Sequence, residues 1–227
     1  MSTALEGNAA EHGTAHRVAE TLRQRLLLGE WLAGTPLRET SLAMELGVSR
    51  NTLREAFRQL AVEGLVLQQL YKGVVVRPIS VDQIRDIFSC RRVVELGAIA
   101  ESATASEALF ADVAAAISAG EAAAARGQWQ EAGTASLQFH RAVVGLLESP
   151  RMNEFFLILA TQLRLAFSEV QNQTAFQAPW LPRDRQIGDL LLSGRRAEAS
   201  EAMSRYLSDS EKFLLDTLRS TRHQKRD

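Results

Sequence analysis

The chain has 227 residues, 46% of them hydrophobic, with 26 Lys and Arg against 27 Asp and Glu. That is enough apolar material for two modest cores, with no net charge that would by itself attract nucleic acid or a membrane. One cysteine, Cys90, excludes an intramolecular disulfide framework and suits a reducing, cytoplasmic setting; no apolar run reads as a membrane span, and residues 1–12 lack the basic-then-apolar order of a secretion signal.

In chain order, residues 1–14 are rich in Ser, Thr, Gly, Glu and Ala without periodicity, which predicts a disordered tail. A helix is predicted from Ala15 to Leu28, with Val18, Leu22 and Leu26 on one face. Residues 29–35 read as a turn whose Trp31 and Leu32 plug the base of the domain. Two short apolar helical segments follow, Leu42-Ala43-Leu46 and Leu53-Ala56-Phe57-Leu60, on either side of Gly47-Val48-Ser49. This spacing suits a tight turn between crossing helices, with Gly47 ending the first and the Ser49 hydroxyl capping the second.

From that cap, Arg50, Arg54 and Arg58 recur every fourth residue and form a stripe opposite the apolar face, with Asn51 and Thr52 beside it at the helix N-terminus. That end of a recognition helix meets base edges in the major groove, where Arg binds guanine with two hydrogen bonds and Asn reads adenine. Gly64 closes the helix. Leu65-Val66-Leu67 and Val74-Val75-Val76 flank a polar turn, a hairpin wing with Lys72 at its tip, placed for phosphate. Three Arg with Glu55 among them also describe an ordinary solvated helix face. Turn, cap, stripe and wing agree in order and length, however, and that agreement favours a DNA-reading winged helix-turn-helix over residues 15–78.

Arg77-Pro78 breaks the last strand, residues 79–81 form a linker, and helical character fills 82–222. Six helices are expected, near 82–103, 106–126, 128–148, 151–172, 180–193 and 196–222, ahead of a short tail at 223–227. The fold class is therefore mostly α: a winged helix-turn-helix followed by an antiparallel helical bundle whose interior can hold a small molecule.

The stretch LRETSLAMELGVSRNTLREAFRQLAVEGLV followed by KGVVVRP resembles the GntR-type winged helix, and the likeness continues into an FCD-type ligand-sensing domain, covering roughly residues 15–222. The resemblance implies DNA contacts from Arg38, Ser49, Arg50, Arg54 and Gly73, to which position adds Asn51, Thr52 and Lys72. It also implies an interior divalent metal held by an Asp, a His four residues later and two further His. Here those places hold Ser136, His140, Asp184 and Tyr206, so only His140 keeps its residue type. Hydroxyls replace imidazole and carboxylate poorly on such an ion. No cofactor is therefore favoured, and His140 and Asp184 are the ligands left if a metal is bound. As a core residue, His140 is expected to hydrogen-bond Asp184 or Tyr206. The same four residues with Arg91 suit a small effector, its carboxylate paired by Arg91 or His140; Arg91 and Glu95 alternatively form an i,i+4 helix pair.

Residues 1–80 carry nine Lys or Arg against eight Asp or Glu, so DNA affinity is expected to come from two winged helices acting together in a homodimer on a palindromic operator. No nucleophile elbow, nucleotide-binding glycine pattern or metal-spaced His pair is present, which disfavours an enzyme. The expectation is a ligand-responsive transcriptional repressor. An activator of the same fold, or a helical ligand- or metal-binding module with an inert winged helix, are the alternatives.

Overall fold

The computed structural model describes the backbone of residues 2–224 and the side chains of residues 13–220. The chain forms two compact units, Met1–Pro78 and Ile79–Asp227.

The first unit contains α1 (Ser2–Leu27), α2 (Glu39–Glu45), α3 (Arg50–Val62), β1 (Val66–Gln69) and β2 (Gly73–Val76). In α1, Ala15, Val18, Ala19, Leu22 and Leu26 are buried, and they pack on α3 through its buried Leu53, Ala56, Phe57 and Leu60. The helix begins at Ser2, which corrects the expected tail: the segment lacks proline, and its Ala, Glu and Leu residues are good helix formers, so backbone hydrogen bonding extends without an apolar stripe. Gly47 and Gly64 both adopt positive φ, 63° and 71°. In each case the next amide reaches back to the preceding turn, Val48 to Ala43 and Leu65 to Leu60, closing α2 and α3 as glycine-ended helices.

β1 and β2 pair antiparallel with Val66 opposite Val76 and Gln69 opposite Gly73. A third extended segment joins β2: the Leu37 amide donates to Val74 O at 2.8 Å, and the Val76 amide donates to Thr35 O at 3.0 Å. The base is thus sealed by Leu37 and the valines. Leu32 is 53% exposed, and Trp31 lies against the Arg25 guanidinium, 4.5 Å from ring to cation. The expected Trp31–Leu32 plug is therefore absent, because the turn carries both side chains outward before the chain re-enters at Leu37.

The second unit contains α4 (Val81–Glu101), a 3₁₀ turn at Ser102–Thr104, α5 (Glu107–Ala125), α6 (Trp129–Gly145), α7 (Pro150–Phe167), α8 (Gln173–Gln177), α9 (Leu181–Leu192) and α10 (Arg196–Gln224). Ser80 opens α4 with a reciprocal capping box, its hydroxyl accepting from the Gln83 amide while the Gln83 side chain accepts from the Ser80 amide. Five of the six expected helices match with shifted ends. The fourth stops at Phe167 instead of residue 172, because Gln173 Nε2 donates to both Phe167 O and Val170 O and turns the chain. The freed segment forms α8, capped by the Asn172 side chain. The expected tail at 223–227 begins inside α10, and residues 225–227 lie outside the described residues.

α5 corrects a second expectation. Its 19 residues reach a mean hydropathy of 1.4 and are long and apolar enough, by length and composition, to cross a membrane. Most of that apolarity is alanine. Of its larger side chains, Val113 and Ile117 are buried where α6 and α9 pack, and Leu109 and Phe110 are half-buried. Gly188 on α9 permits that approach, since a Cβ there would meet Ile117 Cδ1 at 2.2 Å.

Candidate functional site

The candidate DNA face is built by α3 and the wing. Ser49 stands in extended conformation ahead of α3, and its hydroxyl accepts from the Thr52 amide at 3.0 Å. The Thr52 hydroxyl lies 2.7 Å from the same oxygen, so Thr52 is half-buried and turned toward the cap, not outward. Arg50, Asn51, Arg54 and Arg58 are exposed, as the stripe requires. Two of them already have partners in the free protein: Arg54 Nε donates to Glu39 Oε2 on α2 at 2.9 Å, and Arg58 pairs with Glu55. Arg38 is exposed at the residue before α2 and makes no side-chain capping bond.

At the wing tip, Lys72 and Gly73 are exposed, Gly73 at φ 75°. Tyr71 beside them also adopts positive φ, 64°, and is 98% exposed. A non-glycine residue held there is uncommon and carries a steric cost; the three-residue loop imposes it.

The interior of the second unit holds a connected polar cluster. Arg91 and Glu95 on α4 form a buried ion pair, Nε to Oε1 at 2.7 Å. Glu95 Oε2 then accepts from His140 Nδ1 on α6 at 2.5 Å. The other ring nitrogen, Nε2, faces Asp184 Oδ1 on α9 at 3.9 Å, beyond hydrogen-bond length. Ser136 and Tyr206 share a hydrogen bond of 3.3 Å, and the Tyr206 ring meets the imidazole edge-on at 4.8 Å. His140 therefore bonds Glu95, not the expected Asp184 or Tyr206. Its signal was legible as Phe88, Arg91 and Glu95 at i, i+3 and i+7, one inward face of α4.

Electrostatically the cluster divides in two. Burial alone would raise the Glu95 carboxyl, but the charge of Arg91 and then His140 outweighs it, so the pKa is lowered and Glu95 stays ionised. Burial pushes the His140 imidazole down, against the pull of Glu95. Asp184 is pushed up to about 8 by burial, which the neighbouring Ser136 and Tyr206 hydroxyls only partly offset. The Tyr206 phenol is raised by burial and by Asp184. Four buried polar atoms are left without hydrogen-bond partners here: Arg91 Nη2, His140 Nε2 and both Asp184 oxygens.

The donor set does not fit a divalent transition metal. Only His140 Nε2 and the Asp184 carboxylate are free and of suitable type, the hydroxyls of Ser136 and Tyr206 are poor ligands that bond each other, and among the described residues no group of three or more His, Cys, Asp or Glu is arranged to hold an ion. What the arrangement does contain is a small cavity of about 20 Å³, room for one or two waters. Arg91, Ser136, His140 and Tyr206 line it, and Asp184 lies behind them. Sequence reasoning missed its aromatic walls, Phe88, Phe167, Phe176 and Trp180, which come from four elements and have no shared local pattern.

Two family descriptions match the chain, "Bacterial regulatory proteins, gntR family" over residues 14–76 and "FCD domain" over residues 86–209. The chain belongs to the GntR family. It is a DNA-binding transcriptional regulator with an FCD domain, not an enzyme. A solved GntR-type structure from Rhodococcus sp. RHA1 is 33% identical, covers 89% of this chain and 97% of that one, and superposes with a TM-score of 0.80. A Paenarthrobacter nicotinovorans protein described as a D-xylose utilization operon repressor is 26% identical over 198 residues, 86% of this chain and 85% of that one. The gluconate operon repressor of Bacillus licheniformis is 40% identical over 83 residues, 36% of this chain and 33% of that one. Escherichia coli McbR/YncC shares the fold at 17% identity, covering 89% of this chain and 97% of that one with a TM-score of 0.76.

Proposed function

We propose that this GntR-family regulator is a homodimeric repressor that reads a palindromic operator and is released by a small carboxylate-bearing metabolite bound in its helical unit, without a metal. The carrying observation is the Ser49-capped α3, which presents Arg50, Asn51 and Arg54 outward beside an exposed wing tip. Arg38, Lys72 and Gly73 supply phosphate and groove contacts around it. Relatives named as repressors support the sign of regulation. The near-neutral DNA-binding unit supports a dimer, because nine cations against eight anions give one copy little grip on phosphate. The orphaned buried atoms of the cavity support an effector, since such atoms cost stability unless something completes their hydrogen bonds.

A gel-shift assay with the DNA upstream of the regulator's own gene tests the reading. The expected result is a salt-sensitive shift, tighter than on random DNA by roughly 10³ or more. A shift that is absent, or equal on random sequence, overturns it in favour of a helical ligand-binding module with an inert winged helix.

A further inference from the structure

We infer that the cavity takes a small aromatic monocarboxylate, its carboxylate on the free Nη2 of Arg91 and its ring among Phe88, Phe167, Phe176 and Trp180. This deepens the proposed effector reading and rests on it.

Two things select the class. The first is the number of polar groups left to a ligand. Ser136 and Tyr206 bond each other, and Ser210 donates to the Leu207 carbonyl. Among the described residues, Arg91 Nη2 and His140 Nε2 are the fully buried lining atoms without partners. A carboxylate satisfies the Arg91 Nη2 donor and leaves the His140 Nε2 acceptor to a hydroxyl on the same ligand, whereas a polyol would bring more hydroxyls than that one free lining acceptor can take.

The second is the wall. Four aromatic side chains from α4, α7, α8 and the segment before α9 face the cavity. Phe176 already meets Phe167 edge-on at 5.1 Å, and Trp180 meets Tyr206 at a tilt at 5.1 Å. A planar ring extends such a cluster with favourable geometry as well as area.

Arg91 is prepared for this task. Its Nε is fixed by Glu95 and its face lies over the Phe88 ring at 5.0 Å, so the guanidinium is held while Nη2 remains available. A carboxylate arriving there makes a charge-assisted bond in a site already desolvated. The bare Nε2 of His140, whose proton sits on Nδ1 toward Glu95, accepts from a hydroxyl where the ligand carries one. About 20 Å³ does not hold a benzene ring, so the ligand enters by displacing α8, the five-residue helix that carries Phe176 and Gln177 over the cavity.

Calorimetric titration of the full-length protein with benzoate, benzamide and gluconate is the test. The expected result is saturable benzoate binding at one per chain, with benzamide and gluconate each at least tenfold weaker. Arg91→Gln alone would strand Glu95 as a buried unpaired charge, so the variant is the double Arg91→Gln/Glu95→Gln, checked for unchanged helix content. It is expected to weaken benzoate binding by tenfold or more. If it does not fold, Ser210→Trp, which fills the cavity from α10 and leaves the ion pair intact, is expected to abolish benzoate binding.

Absence of saturable benzoate binding, benzamide or gluconate binding as tight as benzoate, or unchanged affinity in the folded double variant or in Ser210→Trp, overturns the proposal. Operator binding without benzoate binding removes this inference and leaves the regulator standing. Benzoate binding without operator binding does the reverse.

Discussion

Arg54 is the side chain on which base reading is most sharply testable, because it stands one turn into α3, exposed and pointed away from the apolar face. Arg54→Ala is expected to remove roughly 1–3 kcal/mol of discrimination at one base pair per half-site, measured by competition between operator variants; an equal loss on random DNA would assign it to phosphate. Asp184 gives a prediction in pH. Unfolded, it releases its proton near 3.8, while in the folded protein it keeps it to about 8, so raising the pH between those values favours unfolding. His140 acts in the opposite direction: burial lowers its pKa, so acid below about 6.5 also favours unfolding. Urea unfolding across pH should therefore show that Asp184→Asn removes the decline in stability as pH rises from about 3.8 to about 8, leaving the fall below about 6.5 that belongs to His140. The sequence singled out both residues and marked Glu95 on the inward face of α4, but not the bond between Glu95 and His140, a pairing 45 residues apart that depends on how α4 and α6 pack.

At the level of elements, α3 depends on its first turn. Ser49→Ala removes the acceptor for the Thr52 amide and is expected to cost about 1 kcal/mol of stability in the winged helix, read by thermal unfolding. The second test concerns α8. Gly133 on α6 faces the Gln177 side chain so closely that a Cβ would lie 2.4 Å from Gln177 Nε2. Gly133→Ala should push Gln177 and its helix outward, seen as faster amide exchange over 172–178 with α6 unchanged. The helix-turn-helix, its cap, both closing glycines and the hairpin were legible because each depends on residues within a few positions of one another. The end of α7 was not: it is set by Gln173 reaching back to two carbonyls, a choice that apolar periodicity cannot register. The Trp31–Leu32 plug failed similarly, because an apolar residue in a turn goes where the turn aims it.

For the whole molecule, the family and the order of its two units followed from the sequence, since a winged helix and an all-helical bundle differ in pattern throughout their lengths. The proposed dimer makes a geometric prediction. Two winged helices tied to one another read half-sites on the same face of the duplex, separated by about one helical turn, 10–10.5 base pairs, or a multiple of it. Adding about half a turn, roughly 5 base pairs, between half-sites should abolish the gel shift although every contacted base is retained. Sedimentation of the free protein as a monomer at concentrations that bind operator would remove the basis for this expectation.

The Arg54–Glu39 clasp bears on how such a protein searches. A genome presents some 10⁶–10⁹ stretches of irrelevant duplex, each offering the same phosphates. With Glu39 holding Arg54 at 2.9 Å, the face that passes over them carries one fewer loose cation. Moving Arg54 from Glu39 to a phosphate exchanges one anion for another, whereas moving it to a guanine edge adds two acceptors that only that base presents together. If Arg54 reads a base as proposed, Glu39 must release it first, and a Glu39→Gln variant should then hold random DNA more tightly while changing its preference between operator variants less.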